Sequence, residues 1–180
     1  MESKSNSTTA EISSTDEPEV SFSSGSFTPS TEFDSRMALE IPVLEANGRD
    51  FVYGFILLHE HLSEETQQEL EALGVTLLGP HGNNLYKAKF PLNMEVIVQV
   101  TRLPHIEWVG YSTQDQKLDG DLKQMIDSPA RSAAVDTLPI VINLFDDDVD
   151  RAFERHLETT GAILRSYDLE LRAYYPYSDI

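Results

Sequence analysis

The sequence contains no cysteine and is poor in basic residues. The absence of cysteine excludes disulfides, thiolate nucleophiles and cysteine-ligated zinc. The 180 residues include 13 Lys and Arg against 31 Asp and Glu, which gives a net charge of −18 with neutral histidines. Because binding to a phosphate backbone depends on clustered Lys and Arg, this charge balance argues against a nucleic-acid partner.

Long hydrophobic runs are also absent. No apolar stretch of the sequence approaches the roughly 18 residues that a membrane span requires. The segment MESKSNSTTAEISSTDEPEV lacks the basic start and the apolar stretch of a secretory signal peptide. The sequence therefore predicts no membrane partner and no signal peptide in this chain.

Four regions differ in composition. Residues 1–36 are rich in Ser and Thr, acidic and poor in large aliphatic side chains, which predicts a disordered tail. Three phenylalanines of this segment, Phe22, Phe27 and Phe33, are either anchors that dock on a partner or isolated aromatic residues without a role. A folded domain is predicted at 37–112, a linker at 113–135 and a second unit at 136–180.

The first unit shows alternating strand and helix patterns. FVYGFILLH is typical of a buried strand, and LSEETQQELEALG of an amphipathic helix with Ser63 as its N-cap and Gly74 as its stop. VTLLG and LYKAKF predict two further strands joined by a turn at PHGNN.

The segment PLNMEVIVQVTRLP is compatible with a strand by propensity and with a helix by apolar spacing. We predict a helix, because Pro104 ends the pattern and the strand HIEWVGYS follows at once. The resulting β-α-β-β-α-β order predicts an α+β, ferredoxin-like unit: an antiparallel sheet in the order 4-1-3-2 with two helices on one face.

An internal repeat follows the linker. LPIVINLFDDDVDRAFERHLETTGAILRSYDLELRAYYP repeats the strand-helix-strand-strand order, with Gly161 in the position of Gly74. We expect an incomplete second copy, βαββ, whose strand at 138–145 is exposed for self-association. Helical spacing predicts a core face made of Val149, Ala152, Phe153, His156 and Leu157.

Catalytic constellations are missing from the sequence. His59-Glu60-His61 provides two imidazoles without a third ligand, which is weak evidence for a metal site. Asp146, Asp147, Asp148 and Asp150 lack the glycine and distal glutamate of an EF-hand loop, so helix capping is the simpler interpretation. The sequence predicts no catalytic residue, no cofactor site and no metal site, and therefore no enzyme by itself.

Two segments, GVTLLGPHGNNLYKAKF and LPHIEWVGYSTQDQKL, carry a family resemblance. Together with the surrounding chain from Phe51 to Ile180, they resemble the region that precedes the catalytic domain in bacterial subtilisin-like serine peptidases. The peptidase motifs themselves are absent, and His81-Gly82 is followed by Asn83 rather than by threonine. The resemblance is therefore to the propeptide and not to the peptidase.

The resemblance implies a folding assistant or inhibitor of a peptidase domain, acting in cis or in trans. In such units the open sheet face packs on the peptidase, and an extended segment after the last strand runs towards its cleft. An exported peptidase would imply an extracellular location. The implied partner-binding residues are His105, Glu107 and Trp108 on the closing strand, and Tyr111, Lys117 and Leu118 after it.

Two alternatives stay open at this point. A tandem ferredoxin-like pair could bind a small regulatory ligand between its units, although HEHLSE does not resemble a ligand loop. A truncated product without activity would leave the second unit poorly protected. Trp108 itself is either a docking residue or simply part of a core.

Overall fold

The computed structural model describes residues 18–22, 24–127, 137–146, 151–167 and 170–176. These residues form nine strands and six helices. The strands are β1 (Val20–Phe22), β2 (Gly25–Phe27), β3 (Phe51–Leu58), β4 (Thr76–Gly82), β5 (Leu85–Pro91), β6 (Ile106–Gly110), β7 (Thr137–Asn143), β8 (Ile163–Tyr167) and β9 (Glu170–Pro176). The helices are α1 (Ser35–Ala46), α2 (Glu64–Ala72), α3 (Met94–Thr101), α4 (Gln114–Lys117), α5 (Gly120–Asp127) and α6 (Ala152–Thr159). The fold is α+β, as predicted.

The first sheet is antiparallel, with the strand order β4-β5-β3-β6. Numbered within the unit, this is the order 4-1-3-2 that the sequence predicts. Strand β3 lies in the middle because both of its faces are apolar: Val52 and Ile56 belong to one hydrophobic cluster, and Phe55 and Leu57 belong to another. The first unit is thus built around a strand that must be covered on both faces.

Three helices, not the predicted two, cover the first face. Met37 and Ile41 of α1, Leu70 of α2 and Ile97 of α3 are buried against β3 and its neighbours. The helix predicted for PLNMEVIVQVTRLP is confirmed as α3. Helix α1 was not predicted, since its apolar residues are interrupted by Pro42.

The opposite face of the first sheet is covered by an N-terminal hairpin of β1 and β2. The prediction of disorder up to residue 36 is therefore wrong for residues 18–22 and 24–36, whereas residues 1–17 lie outside the described residues. Val20 is fully buried, and Phe22 packs edge-on against Phe55 with 5.0 Å between ring centroids. The aromatic residues of this low-complexity segment are thus part of the core.

The outer edge of β6 is covered by the chain that leads into α1. Val109 donates to the carbonyl of Glu32 at 2.9 Å and accepts from the amide of Asp34 at 3.0 Å, and Phe33 forms a parallel bridge to Val109. Asp34 then caps α1 by accepting from the amide of Arg36. The closing strand is therefore paired on both sides.

The second sheet has the order β7-β9-β8. Seven residue pairs join β7 to β9, from Thr137 with Pro176 to Asn143 with Glu170. Seven pairs likewise join β3 to β5, from Phe51 with Pro91 to Leu57 with Leu85. The pairs differ at the next strand, because the register of β4 on β5 shifts twice, whereas β8 pairs with β9 without a shift. In both units a glycine with positive φ, Gly74 or Gly161, follows the helix.

Helix α6 does not present the predicted core face. Leu157 and Glu154 are buried, whereas Phe153 is 38% exposed and His156 is also exposed; Val149 lies outside the described residues. The predicted spacing starts at Val149, but the helix begins at Ala152, and among the described side chains Leu157 and Ala162 pack against Ile140, Ile142 and Leu144. Ala152, Phe153 and His156 lie on the side of α6 that faces the first unit.

No helix in the described ranges combines the length and the apolar character needed to cross a membrane.

Candidate binding groove

A short segment after β7 joins the two units. Leu144, Phe145 and Asp146, here called the clasp, lie against the first sheet on the side of the N-terminal hairpin. The ring of Phe145 lies 5.1 Å from that of Phe55 and 5.3 Å from that of Tyr53. These aromatic contacts fix the position of the second unit on the first.

Two lysines of β5 hold the backbone and the carboxylate of the clasp. Lys87 Nζ donates to the carbonyl oxygen of Leu144 at 3.0 Å, and Lys89 Nζ lies 3.4 Å from the Asp146 carboxylate. Burial raises the pKa of Tyr53, and the charge and hydrogen bond of Asp146 raise that pKa further. Asp146 therefore serves as a contact between the units, and not as the helix cap that the sequence suggests, since the N-cap residue of α6 is Arg151 and makes no side-chain cap hydrogen bond. Asp147, Asp148 and Asp150 lie outside the described residues.

A groove of about 580 Å³ lies beside the clasp, where β3 begins and β6 ends. Its walls come from both units. The first unit contributes Leu44, Arg49, Phe51, Val52, Tyr53, Tyr111, Ser112 and Lys117, and the second contributes Leu144, Phe145, Asp146, Ala152, Phe153 and His156. This volume is within the range of sites that hold small organic ligands.

The polar groups of the groove are mostly cationic or neutral. Arg49, Lys117 and His156 line it and are exposed to solvent, and Asp146 is the acidic residue in the lining. Burial raises the pKa of the Tyr111 hydroxyl, and the nearby charge of Glu40 raises that pKa further, so Tyr111 is a neutral hydrogen-bonding group near neutral pH. Among the described lining residues, two cations therefore stand against one carboxylate, in a chain of net charge −18.

Ser112 is a buried polar residue at the groove. It is only 3% exposed, and its hydroxyl has no hydrogen-bond partner among the residues that the structure describes. Because a hydroxyl can both donate and accept hydrogen bonds, Ser112 is a candidate contact for a molecule in the groove.

The predicted partner-binding residues fall into three separate places. Tyr111 and Lys117 line the groove, with Lys117 Nζ 4.9 Å from the centre of the Tyr111 ring, and Leu118 follows half-buried. Trp108 belongs instead to the cluster on the hairpin face and is 2% exposed. The structure thus brings Tyr111 and Lys117 together but separates them from Trp108.

Trp108 is a core residue of the first unit. Its ring lies edge-on to Phe27 of the hairpin, with 5.7 Å between centroids, and it folds over Gly110, where an added Cβ would lie 1.8 Å from the indole. Glycine is therefore required at position 110. The prediction that Trp108 is available to a partner does not fit this packing.

His105 and Glu107 lie at the other end of β6, next to the end of β3. His59 Nδ1 lies 3.6 Å from Glu107, and His105 Nδ1 lies 3.9 Å from Glu60. Each imidazole thus has a carboxylate neighbour. Within the described ranges, no group of three or more His, Asp and Glu residues is arranged to hold a metal ion.

The segment after β6 is not the extended docking segment that the resemblance implies. Residues 114–117 form α4, which Thr113 begins with a reciprocal capping box: Thr113 accepts from the amide of Gln116, and the Gln116 side chain accepts from the amide of Thr113. Helix formation shortens the reach of this segment. It folds back towards the groove, where Lys117 contacts Tyr111.

Sequence reasoning missed Arg49, Ser112 and Phe153 as groove residues. Arg49 lies just before the predicted strand FVYGFILLH, Ser112 is the last residue of the predicted strand HIEWVGYS, and Phe153 is predicted in the helix core. The one local signal was the short polar segment NGRD before β3, which places Arg49 at a strand entrance.

A family model described as "Domain of unknown function (DUF8729)" matches residues 21–112, slightly more than half of the chain. The chain belongs to this family. The matched range begins within β1 and ends at Ser112, so it contains most of β1, all of β2 to β6, and α1 to α3. Comparison with curated proteins and with solved structures gave no match.

Proposed function

We propose that this chain is a non-catalytic binding module made of a ferredoxin-like unit and a related partial unit, βαββ. Support for the repeat comes from the strand order of the first sheet and from the equal registers of β3 with β5 and β7 with β9. Following the family resemblance, its target is a subtilisin-like peptidase domain, in cis or in trans. The module assists the folding of that domain, inhibits it, or does both.

The observation that carries this proposal is the apolar sheet face formed by Phe55, Leu57, Leu85 and Trp108. In the resemblance this is the face that packs on a peptidase. Here it is covered by a hairpin with strands of three residues each and by Phe145, and neither belongs to the first sheet. Short two-stranded hairpins are marginal on their own, so a partner that competes for this face has a small element to displace.

The test is titration of a subtilisin-type peptidase with the full chain. The proposal expects stoichiometric inhibition and slow digestion, with tighter inhibition by a Phe22→Ser/Phe27→Ser variant in which the hairpin is weakened. Leu39→Ser is the matched control, because Leu39 is 74% exposed on α1 and far from the hairpin contacts described above. Digestion without a lag and without inhibition, by both the wild type and the hairpin variant, would exclude the peptidase target.

A second candidate function is a regulatory module that binds a small ligand between its units. The groove favours it, since the two units jointly line a volume of about 580 Å³ that contains aromatic and polar side chains. Thermal stabilisation of the full chain by small organic molecules would support it, and the absence of any saturable ligand would count against it.

Self-association through the strand 138–145 stays a prediction. In the described residues, β7 is paired to β9 on one side and has no strand on its other side. A dimer that is lost on substituting the exposed Val141 by lysine would support this contact.

A further inference from the structure

We propose that the groove between the two units binds a small organic anion with an aromatic body, held by Arg49 and Lys117 with the Ser112 hydroxyl as an additional donor. This inference rests on the second candidate function and gives the chemical class of its ligand.

The charged side chains that line the groove predict the charge of its ligand. Among the described lining residues, two are cations, Arg49 and Lys117, and one is acidic, Asp146. Asp146 already lies beside Lys89 and influences the Tyr53 hydroxyl. A carboxylate or similar anion therefore meets donors in the groove, whereas a cation would meet the like charges of Arg49 and Lys117.

The aromatic and aliphatic side chains that line the groove predict an apolar, planar group in the ligand. Rings of Phe51, Tyr53, Tyr111, Phe145 and Phe153 line it together with aliphatic side chains. Aromatic surfaces of this kind favour a planar apolar group through edge and face contacts. Lys117 already lies over the Tyr111 ring at 4.9 Å, so charge and aromatic surface are adjacent.

Ser112 adds a hydroxyl to the polar side chains of the groove. The residue is 3% exposed and lines the groove, and the described part of the chain provides no hydrogen-bond partner for this hydroxyl. A hydroxyl in this position can donate to a carboxylate oxygen. The groove thus offers a short-range donor in addition to flexible surface cations.

The experiment uses the full chain labelled with ¹⁵N and two probes with the same ring system, 2-naphthoate and the neutral 2-naphthalenemethanol. We expect saturable amide shifts at Tyr111, Ser112 and Phe153. A probe of this size should bind in the millimolar range. Naphthoate should bind about fivefold more tightly than the alcohol, as expected for contacts with exposed cations.

Matched charge variants test the role of the two cations. Arg49→Gln/Lys117→Gln should weaken naphthoate binding about fivefold and leave the alcohol unchanged. Arg102→Gln/Arg155→Gln removes the same charge from exposed positions outside the groove lining and should leave both affinities unchanged. Ser112→Ala should weaken naphthoate binding by a smaller factor.

The outcomes separate this inference from the candidate function on which it rests. If both probes bind equally at the groove, a ligand-binding module stands and the anion class is wrong. If neither probe shifts the groove amides, both fail. If the Arg102/Arg155 control weakens naphthoate binding as much as the groove variant, the overall charge of the chain and not the groove explains the preference, and the inference is overturned.

Discussion

The two units each contain a strand pair joined over seven residues, β3 with β5 and β7 with β9, but differ in how many described elements cover their sheets. The first sheet has three helices on one face and the hairpin with Phe145 on the other. In the described part of the second unit, α6 alone covers one face, and Val141 and Ile163 are 52% and 62% exposed. A common pairing pattern is therefore not enough for stability, because most of the free energy comes from apolar area that covering elements remove from water.

The difference also shows how the second unit is held. Among the side chains that the structure describes, Leu157 and Ala162 are the buried residues of the second unit's cluster and pack with three partly buried neighbours, whereas thirteen buried residues form the main cluster of the first unit. The clasp adds contacts with the first unit. We infer that the second unit depends on docking to the first, and that the first does not depend on the second to the same degree.

The largest expected effect comes from a matched pair of substitutions at equivalent register positions. Ile56→Ala removes a fully buried side chain of β3 and should lower the free energy of unfolding by about 2–5 kcal/mol. Ile142→Ala, at the same position of β7, removes a partly buried one and should cost less than about 2 kcal/mol.

Urea unfolding and amide hydrogen exchange measure this pair. The Ile56 variant should lose protection throughout the chain, and the Ile142 variant only in β7, α6 and β8. Equal losses of stability from the two substitutions would contradict the unequal dependence of the two units.

The clasp gives the next largest effect. Phe145→Ala removes the ring contacts with Tyr53 and Phe55 and should weaken docking of the second unit by about 1–3 kcal/mol. Faster amide exchange in β7 and α6, with β3 to β6 unchanged, is the expected measurement. Phe153→Ala is the control, since Phe153 is 38% exposed, and it should change exchange much less. An equal response to the two substitutions would show that Phe145 has no special role.

Much of the first unit could be predicted from the sequence, because its strands and helices are long and strongly patterned. The strand order, helix α3 and the cap at Ser63 follow from residues close together in the chain. The hairpin could not be predicted, since its short strands are ordered by contacts with Phe55 and Trp108 far along the sequence. Local composition indicated a disordered tail, and tertiary packing overrode it.

The groove could be predicted only in part for the same reason. Tyr111 and Lys117 were identified from the closing strand and its continuation, but the other walls come from the entrance of β3, the clasp and α6. Lys87 and Leu144 are 57 positions apart, and no spacing rule connects them. Residues that meet through docking of two units carry no local signal of that meeting.

The smallest expected effect concerns the pH dependence of the hairpin. The ring of His81 lies 5.3 Å from Phe22 and 5.0 Å from Phe55. Burial lowers its pKa below the ordinary value near 6.5, and the charge of Lys87 lowers that pKa further. The folded chain therefore favours the neutral imidazole, so this contribution to stability is present above about pH 6.5 and is lost as the pH falls towards the lowered pKa.

Because His81 is only partly covered by the rings of Phe22 and Phe55 and keeps contact with solvent, we expect a partial loosening of the hairpin and no global unfolding. The single tryptophan reports it, since Trp108 contacts Phe27 of the hairpin. The fluorescence emission of Trp108 should shift to longer wavelength as the pH falls from 7.5 to about 5. The His81→Gln variant should lose most of this shift. The control variant His61→Gln, at an exposed position beyond the end of β3, should retain the shift. A profile that is the same in the wild type and in the His81 variant would assign the pH response to another group. It would also leave the hairpin held by its apolar contacts alone, as firmly attached in acid as the helices are on the opposite face of the sheet.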